Sequence, residues 1–95
     1  MAVEFEILYQ TEVVKDDIPK ISPTWRLKIQ SAIEEKLGLY PDVYGKPLRR
    51  SLKGYRKLRV GDYRVVFRVA DTRVLIFAIL HRSVVYTSME KRIEL

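Results

Sequence analysis

Lys57, Arg59, Arg64, Arg68, Arg82 and Tyr86 are the side chains whose types and spacing can do chemistry in this sequence. Lys57 and Arg59 lie in one strand-like run, Lys57 to Val60; Arg64 and Arg68 lie in the next, Tyr63 to Val69. In an extended strand, residues an even number apart share a face, so each pair stands together. Gly61-Asp62 between the runs is a two-residue hairpin turn that glycine's positive φ permits. Folded about it, the four cations share one face, opposite Leu58, Val60, Tyr63, Val65, Phe67 and Val69. Arg82 follows the apolar run ending at Leu80, and Tyr86 comes four residues later. Such a face suits an RNA backbone, because guanidinium forks grip phosphate oxygens without having to titrate. The same alternation also describes an ordinary solvated sheet face. Against that reading, like charges opposite one another cost roughly 0.2–1 kcal/mol per pair, and this face carries almost no acid.

The whole composition agrees with an anionic partner. The chain has 95 residues and a net charge of +6. Residues 1–45 hold five basic and eight acidic side chains; residues 46–95 hold thirteen basic and four acidic, a net of +9. Polarity of this kind points to a polyanion-facing C-terminal half. There is no Cys and a single His, which excludes disulfides, thiol nucleophiles and cysteine-based metal sites and leaves no expected metal or cofactor. The start, MAVEFEILYQ, alternates charge with hydrophobe and lacks the apolar core of a signal peptide. The longest apolar run, Val74 to Leu80, is too short to span a bilayer. The expectation is a single cytoplasmic domain over 1–95 with no membrane contact.

The elements that must carry these residues read as follows. Val3, Phe5, Ile7 and Tyr9 alternate with Glu4 and Glu6, as in a half-buried strand. Thr11 is placed to cap a short helix presenting Val14 and Ile18, broken at Pro19. Ser22-Pro23 starts a second helix with Trp25, Ile29, Ala32, Ile33 and Leu37 on one stripe, and Gly38 reads as its left-handed cap. Leu39 to Leu48 reads as an ordered loop whose Tyr40 and Tyr44 either stack bases or pack the helix onto the sheet. After the hairpin, Asp71-Thr72 is a tight turn, and Val74 to Leu80 is apolar throughout, as in a central strand. Val84-Val85-Tyr86 reads as extended, and Ser88 as the cap of a frayed helix through Ile93. The order is β-α-α-β-β-β: an α+β domain with an N-terminal strand, a helical hairpin and an antiparallel sheet.

The segments LKGYRKLRVGDYRVVFRV (52–69) and ILHRSVVY (79–86), with the helical hairpin before them, resemble the RelE/ParE toxin superfamily. The resemblance implies a RelE-like fold and a toxin of a type II toxin–antitoxin pair. On its RelE side it implies an mRNA endoribonuclease acting in the ribosome and inhibiting translation. On its ParE side it implies a non-enzymatic inhibitor of DNA gyrase; an inactive, antitoxin-binding member is the third reading. A cognate antitoxin, mRNA with the ribosome, and a toxin–antitoxin complex on operator DNA are the implied partners. The family's basic strand positions fall on Lys57 and Arg59, with Arg56 as the alternative to Lys57; its turn arginine falls on Arg64, its C-terminal arginine on Arg82 and its tyrosine on Tyr86. Family members often carry lysine where this chain has Arg59, and arginine does not give up a proton.

Metal-free RNA scission needs a base for the 2′-hydroxyl, cations for the phosphorane and an acid for the 5′-oxygen. Arg64 and Arg82 suit the second role. Tyr86 suits the first where cations favour its phenolate, or is a half-buried anchor. Lys57 serves as acid or as a clamp, and Arg64 has the alternative of pairing with Asp62 or Asp71. His81 reads chiefly as structural, on the side of Leu75, Phe77 and Ile79, with direct participation the lesser option. Arg49, Arg50, Lys53 and Arg56 form a loop cluster suited to ribosomal RNA, or to solvent.

Overall fold

The computed structural model describes residues 4–48 and 54–93. Five strands form one sheet in the order β1-β5-β4-β3-β2, comprising β1 Glu6–Tyr9, β2 Lys46–Pro47, β3 Arg56–Val60, β4 Tyr63–Ala70 and β5 Arg73–His81. The α+β class and the expected element order hold. Strands β2 to β5 are antiparallel, and β1 adds to β5 in parallel, with Ile7 opposite Val74. The parallel pairing follows from the helical crossover: a chain that leaves β1, crosses one face and returns through the hairpin can align with β5 in the same direction.

Helix α1 (Pro23–Ala32) continues through a π-turn, Ile33–Leu37, and packs Ile29, Ile33 and Leu37 on Leu58, Val65, Phe67, Val74, Ile76 and Ile79. Proline occupies its first turn, but the Ser22 side chain makes no capping hydrogen bond. Gly38 is right-handed at φ −66° rather than left-handed. Glycine is required there because a Cβ would collide with the Glu34 carbonyl. Before α1, the Gln10 carbonyl accepts from Val13 and Val14 N–H, and residues 13–20 wind as a π-turn and a 3-10 turn. This frame buries Val13 and Asp17, not Val14, which is 54% exposed. The loop 39–48 contains a single helical turn, α2 (Pro41–Tyr44), as well as β2.

The turns behave as their residues dictate. Gly61 sits at φ +59° under the Trp25 ring, and Asp71 takes φ +54°, a conformation its short polar side chain tolerates. The C-terminal segment departs from expectation. Val84-Val85-Tyr86 is not a strand: Val85–Ile93 is helix α3, with Ser88 inside it. Val85 and Met89, at i, i+4 spacing, form one apolar stripe that covers Leu48, Val66 and Ala78 on the sheet face opposite α1. Burying a side chain such as Met89 in this second cluster contributes about 1.5–3 kcal/mol, which outweighs the β preference of two valines. Among the described residues, no helix is long and apolar enough to cross a membrane.

Candidate nucleic-acid interface

Period-2 alternation along β3 and β4 sets Lys57, Arg59 and Arg64 on the face that α3 partly covers. Arg59 and Arg64 are direct cross-strand neighbours, and β2 places Lys46 opposite Lys57. Because β2 pairs only with Arg56 and Lys57, residues 58–60 of β3 are not paired with it. A cavity of about 480 Å³ lies there, lined by Lys36, Tyr44, Lys46, Lys57, Leu58, Arg59 and Arg64. Five of these are cations, and none is a carboxylate.

Helix α3 brings Tyr86 against Lys57, next to the cavity whose lining Tyr86 does not itself join. The Lys57 Nζ donates to Tyr86 Oη at 3.3 Å and stands 5.5 Å from the ring centroid. Tyr86 is held there because its ring packs on the Leu48, Val66, Ala78, Val85 and Met89 cluster. Arg64 is fixed by its own turn, its Nη1 donating to the carbonyls of Gly61 at 3.0 Å and Tyr63 at 2.9 Å, with no carboxylate partner among the described residues. Its guanidinium is thus oriented by backbone carbonyls alone.

The remaining expected residues are dispersed. Arg82 lies on the far side of the Gly61-Asp62 turn, where its amide donates to the Asp62 carbonyl at 2.8 Å and its Nε is 3.7 Å from the Asp62 carboxylate. It does not line the cavity. Arg68 is on the same face as Arg64 but beyond Val66, which α3 covers; it stacks over Tyr55 at 6.0 Å instead. The four hairpin cations therefore do not share one open face: the apolar pair Val66 and Ala78 interrupts it and draws a helix onto it. Arg56 is turned inward, donating to the Gly45 carbonyl at 2.9 Å and lying 3.9 Å from Asp42. Arg49, Arg50 and Lys53 lie outside the described residues.

His81 is exposed and local in its contacts. Its Nδ1 accepts from the Ser83 amide at 3.2 Å, with Ser83 Oγ at 2.8 Å. Its ring stands edge-on to Tyr63 at 6.1 Å, so it shares the face of Ile79. Leu75 and Phe77 do not join it there, because the bulge where Phe67 pairs with Ile76 and Val66 with Ala78 flips the alternation at Phe77, which packs under α3. Lys36 and Lys46 are the cavity residues that sequence reasoning did not single out, whereas Tyr44 is one of the two loop tyrosines for which base stacking was an open alternative. The signal for Lys46 was its place beside a Pro in the loop before β3; Lys36, on the polar side of α1's stripe, gave none.

A mixed sheet of this order, crossed by a helical hairpin and capped by a C-terminal helix over a basic edge, defines a RelE-like toxin fold. The family model described as "ParE toxin of type II toxin-antitoxin system, parDE" matches residues 8–86, and the chain belongs to that family. It is a type II toxin–antitoxin toxin of the RelE/ParE kind. Toxin RelG of Mycobacterium tuberculosis is 35% identical over 82 residues, covering 80% of this chain and 90% of the relative. Toxin RelE of the same organism is 48% identical over 48 residues, about half of each chain. Among solved structures, the Mycobacterium tuberculosis RelBE2 toxin–antitoxin complex superposes with TM-score 0.78 at 31% identity, over 85% of this chain and 94% of that one. The RelB–RelE complex of Methanococcus jannaschii gives 0.65 at 27% identity, over 85% and 96%.

Proposed function

We propose that this toxin is an mRNA endoribonuclease that acts in the ribosome and is held inactive by a cognate antitoxin. The observation that carries the reading is the Lys57–Tyr86 contact at the rim of a cavity lined by cations and no acid. In this mechanism Tyr86 Oη, in its phenolate form, takes the proton of the ribose 2′-hydroxyl and becomes the phenol. The 2′-oxygen attacks the adjacent phosphorus, the P–O5′ bond breaks, and the 5′-oxygen leaves as a hydroxyl with a proton given up by the Lys57 ammonium. The products are a 2′,3′-cyclic phosphate and a 5′-hydroxyl end. The negative charge that Tyr86 carries before it takes the proton is met by the Lys57 ammonium 3.3 Å away. Arg64, oriented by two carbonyls, and Arg59 beside it stabilise the charge on the phosphorane oxygens. Arg82, exposed and only loosely paired with Asp62, is close enough to the same turn to serve RNA once that surface pair opens.

Two of its structural neighbours, RelBE2 and RelB–RelE, are toxin–antitoxin complexes, which supports an antitoxin as the partner of this chain. Primer extension on translated mRNA tests the reading: wild type is expected to produce discrete cuts, and Arg64→Ala to lose them. Unchanged cleavage in the variant would refute the assignment of the site.

The description of the matching family as a ParE toxin favours a second reading, inhibition of DNA gyrase without chemistry. It predicts that induction halts replication and that the purified protein blocks supercoiling, with translation intact. Pulse-labelling of protein and DNA synthesis after induction separates the two.

A further inference from the structure

We propose that the unpaired stretch of β3 is a second nucleotide subsite, in which Lys36, Lys46 and Tyr44 hold RNA next to the linkage engaged by Lys57 and Tyr86. The inference rests on the reading of that pair as the cleavage site and extends it to the neighbouring nucleotide. Three elements converge on the cavity: Lys36 from the π-turn that ends α1, Tyr44 from α2, and Lys46 from β2. The cavity contains two directly opposed like-charge pairs, Lys46 with Lys57 and Arg59 with Arg64. Such pairs disfavour the folded sheet, and no lining carboxylate offsets them, so a polyanion is the ligand that relieves both at once.

The aromatic component narrows the chemistry. Tyr44 is 44% exposed, and Lys36 Nζ stands 5.5 Å from its ring centroid. An accessible ring braced by a cation at a basic cleft is the arrangement used to stack a base while its backbone is neutralised. The cavity volume, about 480 Å³, falls among small-ligand clefts. An acidic peptide adding as a strand fits less well, because only residues 58–60 of β3 extend beyond β2, at the lower limit of strand length. Continuity with Lys57, Arg59 and Arg64, which line the same cavity, makes single-stranded RNA the occupant.

The test uses the full chain and a single-stranded RNA hexamer made uncleavable by 2′-O-methylation, with binding read by fluorescence anisotropy across a salt series. Lys36→Gln with Lys46→Gln is expected to weaken binding about tenfold. It should also reduce the salt slope by roughly 1.4, from about 0.7 per neutralised single-strand phosphate. Tyr44→Leu is expected to weaken it roughly fivefold to a hundredfold through lost stacking. Lys46→Gln alone, at an exposed position, keeps the test decisive if another variant fails to fold. Wild-type affinity with an unchanged slope would overturn the subsite, as would loss of affinity for a polyglutamate peptide but not for RNA. If the variants bind the hexamer poorly while wild type leaves translated mRNA uncut, the subsite stands and the cleavage reading falls. If mRNA is cut and the variants bind as wild type, the reverse holds.

Discussion

Asp17 and Arg92, 75 positions apart, form a two-pronged ion pair across the end of β5. Arg92 Nη1 lies 2.9 Å from Asp17 Oδ2, and Nη2 lies 2.5 Å from Oδ1. Strand β1 stops at Tyr9, opposite Ile76, so the edge of β5 beyond it needs other partners. The pair supplies them: Asp17 Oδ2 accepts from the Ile79 amide at 2.9 Å, and Arg92 donates to the Phe77 carbonyl at 2.8 Å. Two side chains thus replace the missing strand and tie α3 to the first helical turns. The hydrogen bond to Asp17 holds the Arg92 guanidinium more firmly protonated than usual, against the opposing effect of burial. Removing Arg92 strands the buried Asp17 carboxylate, so Arg92→Met is expected to cost about 3–5 kcal/mol in chemical denaturation. A loss below about 1 kcal/mol, the range of exposed pairs, would show that water replaces the contact.

Tyr86→Phe removes only the hydroxyl that Lys57 contacts and leaves the ring on its apolar cluster. Stability is expected to change little, while cleavage of translated mRNA falls about 10²–10⁴-fold, the usual worth of a proton-transfer group. Lys57→Met should lower cleavage as well, through the same contact. Retained cutting in Tyr86→Phe at normal protein levels would remove the tyrosine from the chemistry.

Much of this arrangement was legible locally. The hairpin declared itself through alternation and Gly61-Asp62, and α1 through Ser22-Pro23 and the Ile29, Ile33, Leu37 stripe. The end of helix α3 was legible as a helix through Ile93, but its first turn was not, because Val84-Val85-Tyr86 has strand composition and becomes helical only when Val85 and Met89 meet Val66 and Ala78. Val66, an apolar residue on a face otherwise basic, was the available clue. Asp17 carried no signal in the sequence; its burial depends on Arg92, and no local pattern joins residues so distant. The cavity likewise gathers Lys36, Tyr44 and Lys46 by tertiary packing, not by spacing.

Gly45 is a steric requirement of the same corner. A Cβ there would press into the Phe67 ring and lie 2.9 Å from the Pro41 carbonyl oxygen. Phe67 is fully buried and has no room to yield. Gly45→Ala is therefore expected to destabilise the fold by about 1–3 kcal/mol, as overpacked cores do. Denaturant titration measures it, and wild-type stability would mean that α2 shifts away from the sheet.

Tyr9 gives the fold an alkaline dependence. Burial first, and then the Glu34 carboxylate, raise its phenol above the ordinary value near 10. The neutral form is favoured in the folded state, so this contribution is complete below pH 10 and is lost as pH rises through the raised folded value. Tyr9→Phe should flatten that part of the stability curve above pH 10 and leave neutral pH nearly unchanged. An identical alkaline limb in the variant would assign it to other groups.

Arg64 and Arg68 offer the sharpest contrast, since they occupy one face of one strand yet serve different surroundings. Arg64 lines the cavity near Lys57, whereas Arg68 lies past Val66 over Tyr55. If the reacting phosphate sits at the cavity, Arg64→Ala removes a fixed donor and should lower cleavage about 10²–10³-fold. Arg68→Ala removes only a peripheral phosphate contact, so its effect should be small and should fade as salt rises. Comparing the two rates on the same translated message, at low and high salt, reads the division imposed by α3. Equal losses would mean that RNA crosses the helix-covered strip, and that α3 must lift away from Val66 when RNA binds.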